Sequence, residues 1–165
     1  MRRRFYANEI MNEIIKRINN NHDLDFVKTV SKGDFSLVQD IKDFKKLFPA
    51  VFIDPEDIFT DSTIGNKSIS PSKYNFMLQY VQYYEQEDPW IAKEATIDNG
   101  EKLADTLLND ENLSRFRFKE GEILYTEVPH IQVKSGEEQI FRLSKIPVFI
   151  VSIEYSVYFR SFIRR

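Results

Sequence analysis

The sequence predicts an α+β fold: an antiparallel or mixed sheet, helices packed mainly on one face, and a long C-terminal strand. Three observations carry this. Apolar residues near the start recur at helical spacing, whereas 74–85 and 146–163 alternate with a period of two. Strands follow one another in runs rather than alternating regularly with helices, which favours a sheet with helices to one side. With 165 residues, 42% of them hydrophobic and 14% aromatic, the chain is long enough to build a real core as a single domain spanning 1–165.

Taken in order, the first element is a helix over Phe5–Asn19. Ile10, Met11, Ile14, Ile15 and Ile18 form its apolar stripe, and Asn8, Glu9, Asn12, Glu13 and Lys16 its polar face. The run Asn19–Asn20–Asn21 ends it, because asparagine side chains compete for helical backbone bonds. Asp25–Ser31 reads as a short strand. Ser36 and Gln39 are spaced as a capping box, so a second helix is expected over Ser36–Leu47, stopped by Pro49. Ala50–Asp54 is a short apolar strand ending at Pro55. The polar stretch from about 57 to 73 reads as a long loop, a feature that usually has a function. Tyr74–Glu85 has apolar residues on both faces, as a central strand would.

Asp98 and Glu101 are spaced like a helix cap, so a helix is expected over Asn99–Asn109 with Leu103, Ala104, Leu107 and Leu108 inward. Arg115–Phe118 and Glu122–Gln132 read as strands, and Pro129 marks an edge or a bulge. Lys134–Glu137 suggests a hairpin turn returning through Gln139–Leu143. The terminal strand puts Phe149, Val151, Ile153, Tyr155, Val157 and Phe159 on one buried face. Ser152, Glu154, Ser156, Tyr158 and Arg160 fall on a wetter face, with Val148 and Ile150 at its start.

Composition removes several function classes. There is no cysteine, which excludes a disulfide framework, thiolate zinc sites and a thiol nucleophile. The formal net charge of −3 argues against a general nucleic-acid surface, and the basic ends Arg2–Arg4 and Arg164–Arg165 read as solvated charge. No stretch approaches the ~20 apolar residues of a membrane helix, and the start is not a signal peptide, so a soluble protein made in the cytoplasm is expected. No glycine-rich phosphate loop or serine elbow is present; Gly65–Ser68 departs from the latter. His22 and His130 read as exposed loop residues. Asp54, Glu56, Asp57 and Asp61 cluster after a strand end, where a metal-dependent nuclease would hold its acids, but the lysine such a site wants on the next strand is missing. The tyrosines read first as core residues and second as interface residues. No catalytic residue, metal site or cofactor is assigned.

The phrase Phe48–Pro49–Ala50–Val51–Phe52–Ile53, the polar excursion after it, the alternating strand, the helix with Leu103, Leu107 and Leu108, and the long last strand together resemble the tail-terminator, or tail-completion, proteins of long-tailed bacteriophages and related contractile particles. The resemblance covers most of the chain in element order. The helix near Ser36 and the hairpin near Gly136 depart from the smaller members. It implies a structural virion protein of the tail or neck: a ring, as a hexamer, that caps the tail tube and joins it to the neck or a head-completion protein. The long strands would extend sheets across subunits, and genome DNA would pass an acid-lined lumen without sequence-specific binding. The interface would draw on Asp57, Asp61 and Lys67 of the loop, Tyr80, and Glu154, Tyr158 and Arg160 of the terminal strand. Another neck or head-completion role, or a metal-dependent nuclease, is the alternative.

Overall fold

A computed structural model of the chain describes residues 6–33, 44–60, 71–83, 88–135 and 148–162. The elements in order are α1 (Ala7–Asn20), β1 (Thr29–Lys32), α2 (Phe44–Leu47), β2 (Ala50–Thr60), β3 (Pro71–Tyr83), α3 (Pro89–Leu108), β4 (Arg117–Phe118), β5 (Gly121–Ser135) and β6 (Val148–Ser161). The strands form one mixed sheet in the order β1-β2-β3-β6-β5-β4. Only β1–β2 is parallel; every other pair is antiparallel. The expected α+β class with a long last strand is therefore the architecture found.

The two alternating stretches sit at the centre. β3 and β6 pair without a break from Pro71↔Arg160 to Tyr83↔Val148. On one face of that pair Tyr74, Phe76, Leu78 and Tyr80 lie beside Val151, Ile153, Tyr155, Val157 and Phe159, all buried. Helix α1 covers this face with Ile10, Met11, Ile14 and Ile18. Glu13, read as part of the polar face, is also buried; Arg17 donates to its Oε1 at 2.8 Å, and the Arg17 guanidinium lies 5.6 Å from the Phe116 ring centre. Phe159 anchors the far end, ringed by Tyr6, Tyr74 and Phe118 at centroid distances of 4.8, 6.1 and 5.8 Å. Aromatic pairs at such separations add roughly 1 kcal/mol each beyond the area they bury.

Helix α3 begins ten residues earlier than its leucines suggest. Asp88 is the N-cap, its side chain accepting from Trp90 N at 2.8 Å, and Pro89 fills the first helical position. The buried stripe is Ala92, Thr96, Gly100, Leu103, Ala104 and Leu107. Its first half is made of small residues, so it carries little hydrophobic signal, and Asp98 and Glu101 lie within the helix rather than at its start. The small residues bring α3 close to β6: a Cβ placed on Gly100 would stand 2.7–2.9 Å from the side-chain atoms of Val151.

Other boundaries also move. β2 passes through Pro55 with a register shift between Pro55 and Asp57 and continues to Thr60, while β3 starts at Pro71. The expected loop thus gives up both its ends to a long hairpin, because Ile58–Phe59 on one arm pair with Tyr74 and Lys73 on the other. The residues 61–70 lie outside those described. β5 runs through Ser135, so Lys134–Ser135 belong to the strand rather than to a turn; the return strand at Gln139–Leu143 and most of the helix expected from Ser36 lie outside the described residues. The second face of β6 is drier than its serines imply. Val148 and Ile150 join Phe48, Ala50, Phe52 and Val81 in a second apolar cluster, and the buried Ser156 donates to Asn75 Oδ1 at 2.8 Å.

Gly100→Ala gains helix propensity of about 1 kcal/mol but forces a methyl into a stiff β-branched side chain. A net loss of about 1–2 kcal/mol is expected, read as a lower urea midpoint. In the Gly100→Ala background, Val151→Ala then costs less than it does alone.

Candidate functional site

The sheet has two unlike faces. No described helix lies on the second face below the Phe48 cluster. There the sheet register aligns rows across four strands: Asp54, Met77, Glu154 and His130; then Asp57, Asn75, Ser156 and Glu127; then Phe59, Lys73, Tyr158 and Tyr125. The last row is an aromatic group held by its own contacts, with Phe59 and Tyr125 exposed and Lys73 and Tyr158 half-buried. Tyr125 and Tyr158 stack at 4.1 Å and 16°, and the Lys73 ammonium lies 5.7 Å from the Phe59 ring centre and 5.8 Å from that of Tyr158. Tyr158 also donates to Glu127 Oε2 at 3.2 Å. Arg160 pairs with Glu122 at the end of the same face.

Above this row the face is acidic. Glu56 sits at the β2 bulge, and its carboxyl is raised above the usual range, first by partial burial and then by Glu154, Asp57 and Asp54. Crowded carboxylates disfavour one another's charge. The nuclease reading needs acids converging on a cation, but among the described residues no group of three or more His, Asp or Glu side chains is placed to hold a metal ion.

The residues expected at an interface divide. Glu154, Tyr158 and Arg160 share this face with Asp57, which is exposed on β2. Asp61 and Lys67 lie outside the described residues. Tyr80 is misplaced by the sequence reading: it is 0% exposed on the helix-covered face, donating to Gln82 Oε1 at 2.8 Å and accepting from Asn99 Nδ2 at 3.2 Å. A tyrosine on an alternating strand gives no sign of which face is covered. Phe59 and Lys73, absent from that reading because their positions read as loop, complete the aromatic row with Tyr125, which reads with the other tyrosines first as core and second as interface.

The long central strands also differ from expectation in what they offer. β3 and β6 are hydrogen-bonded on both sides, so neither has an edge to extend across subunits. Among the described residues, the edges left without a strand belong to their neighbours. β1 pairs with β2 only over Ala50–Ile53, and β4 pairs with β5 only over Gly121–Glu122. Among the described residues the outer edges of β2 from Asp54 and of β5 beyond Glu122 carry no strand.

No protein-family model matches the chain, and no curated protein matches it in sequence. Its fold is similar to that of a chain in the solved structure "Virion of native gene transfer agent (GTA) particle", with a TM-score of 0.59 over 93% of this chain and 96% of that one. The two are 10% identical, a likeness of fold alone.

Two titrations follow from this geometry. Burial pushes the Tyr80 hydroxyl up to about 12, so the fold favours the neutral phenol. The unfolded chain then loses its proton first, and stability present below pH 10 falls as pH rises towards 12, by about 2–3 kcal/mol from this group. Tyr80→Phe should reduce that loss in alkaline unfolding curves. Glu56 follows the same sign in the carboxylate range. Its raised carboxyl means the charged form weakens the fold, and stability recovers as pH falls through the raised value. Glu56→Gln should therefore stabilise slightly at pH 7, a gain that shrinks as pH falls through the raised value and is gone once the pH lies below the ordinary glutamate range, read from urea midpoints across pH.

Proposed function

We propose that this chain is a structural subunit of a phage-like particle, acting as a tail-terminator-like ring that caps a tail tube and joins it to the neck. The observation that carries the reading is the fold likeness to a virion chain over nearly the whole length of both. The element order that resembles tail terminators supports the finer role. The two sheet faces fit it as well. One bears α1 and α3, and the other carries Asp54, Glu56, Asp57, Glu127 and Glu154. Turned towards the bore of a ring, those acids repel phosphates, so that a genome passes without sticking. The partners in this reading are further copies of the chain, a tail tube protein, and a neck or head-completion protein.

Native mass spectrometry and negative-stain imaging test the reading. A closed ring of identical subunits, a hexamer in the tail-terminator role, is expected. A monomer that cleaves DNA with Mg²⁺, and loses that activity on Asp54→Ala with Asp57→Ala, would sink it. Tyr158→Glu, on the bare face, should leave the fold intact by circular dichroism, whereas Ile153→Asp, in the core, should abolish folding.

A further inference from the structure

We propose that copies of this chain join through the open edge of β5 in one subunit and the open edge of β2 in the next, in antiparallel register. The inference rests on the ring reading and names the seam.

The first support is where exposed apolar side chains lie. Of the nine large hydrophobic residues exposed among the described residues, five are on these two strands: Ile58 and Phe59 on β2, and Tyr125, Ile131 and Val133 on β5. The central strands β3 and β6 contribute none. Hydrophobic residues concentrated on open edges are what a pairing partner covers.

The second support is strand direction. β2 and β6 run one way and β3 and β5 the other. A rotation about an axis roughly along the strands preserves these directions. It therefore brings a descending β5 against an ascending β2, the antiparallel arrangement with the better hydrogen-bond geometry. The seam then continues the alternation of the sheet, and each subunit contributes β2, β3, β6 and β5.

The third support separates this seam from a two-fold one. The open part of β2 carries Asp54, Glu56 and Asp57. Pairing β2 with itself would set these acids against one another, which is unfavourable. On β5 the same sheet levels offer His130 opposite the level of Asp54, Glu127 opposite that of Asp57, and Tyr125 opposite that of Phe59. That edge sets the single acid Glu127 against the acids of β2, where self-pairing sets Asp54, Glu56 and Asp57 against their own copies, so β5 suits the acidic, aromatic edge of β2 better than that edge suits itself.

The chain has no cysteine, so introduced thiols report without background. Phe59→Cys is combined in turn with Tyr125→Cys, Glu127→Cys and His130→Cys, which spans small differences in register, and each protein is oxidised with diamide. Within one chain Phe59 and Tyr125 are three strand spacings apart, roughly 14 Å, too far for a disulfide. At least one pair should convert most of the protein into a ladder of covalent species larger than a dimer, while each single variant gives none. Trp90→Cys with Phe59→Cys serves as a pair off the seam and should give no ladder. Native mass under reducing conditions establishes that the variants assemble. Rings without a ladder from any pair overturn the seam and leave the ring reading standing. Cross-links between like positions that stop at dimers also overturn it. If the unmodified chain is a monomer, both readings fail together.

Discussion

The antiparallel pairing of β3 with β6 is the constraint on which the rest of the molecule depends. All 13 residues of β3 find a register partner on β6 with no bulge between them. That uninterrupted ladder fixes which side chains share a face along its whole length. One side becomes the bed for α1 and α3, and the other, on which no described helix lies below the Phe48 cluster, carries the acids and the aromatic row. A slip of one residue would turn one strand over against the other, burying Lys73 and exposing Phe76 if β3 moved, or burying Glu154 and Tyr158 and exposing Ile153 and Tyr155 if β6 did. Buried side chains opposed in the observed register make that slip costly.

Helix placement follows from the same ladder. Gly100 lets α3 approach Val151 of β6, and the hydroxyl of Tyr155, further along the strand, donates to Leu107 O at 3.3 Å. Tyr155 is buried and its hydroxyl is held well above the usual phenol range by desolvation, so it serves as a neutral donor to a carbonyl near the end of the helix. One same-face level further along the sheet, Tyr6 N donates to Tyr74 Oη at 3.2 Å and joins the start of α1 to β3. Both helices are thus tied to the central strands by a hydrogen bond as well as by apolar contact.

Much of this was legible in the residues. The alternation of Tyr74–Glu85 and of 146–163 marked two long strands, the first as central, the isoleucine stripe identified α1, and Pro129 marked an edge or a bulge in β5, where the register shifts between Glu127 and His130. The misreadings have physical causes. Helix α3 hid its first half because Ala92, Thr96 and Gly100 bury little apolar area, while Asp88–Pro89 carried a start signal that reads equally well as a break. The ends of the β2–β3 hairpin were hidden because Pro55 and polar residues suit a loop as well as they suit a bulged edge strand. The aromatic row needs four strands in register, and no local pattern reports that Phe59 and Tyr125 lie at one level.

The bulges on β2 and β5 have a consequence for what their outer edges can pair with. A long open strand templates any other extended segment, and at high concentration inside a cell this competes with correct association. Pro55 and Pro129 each delete a backbone donor from the outer strands, and the neighbouring register shifts bend them away from a flat template. An arbitrary strand therefore meets a broken row of donors, whereas a partner with a matching interruption does not. The irregularities that obscured these strands in the sequence act as a filter against indiscriminate, fibril-like stacking.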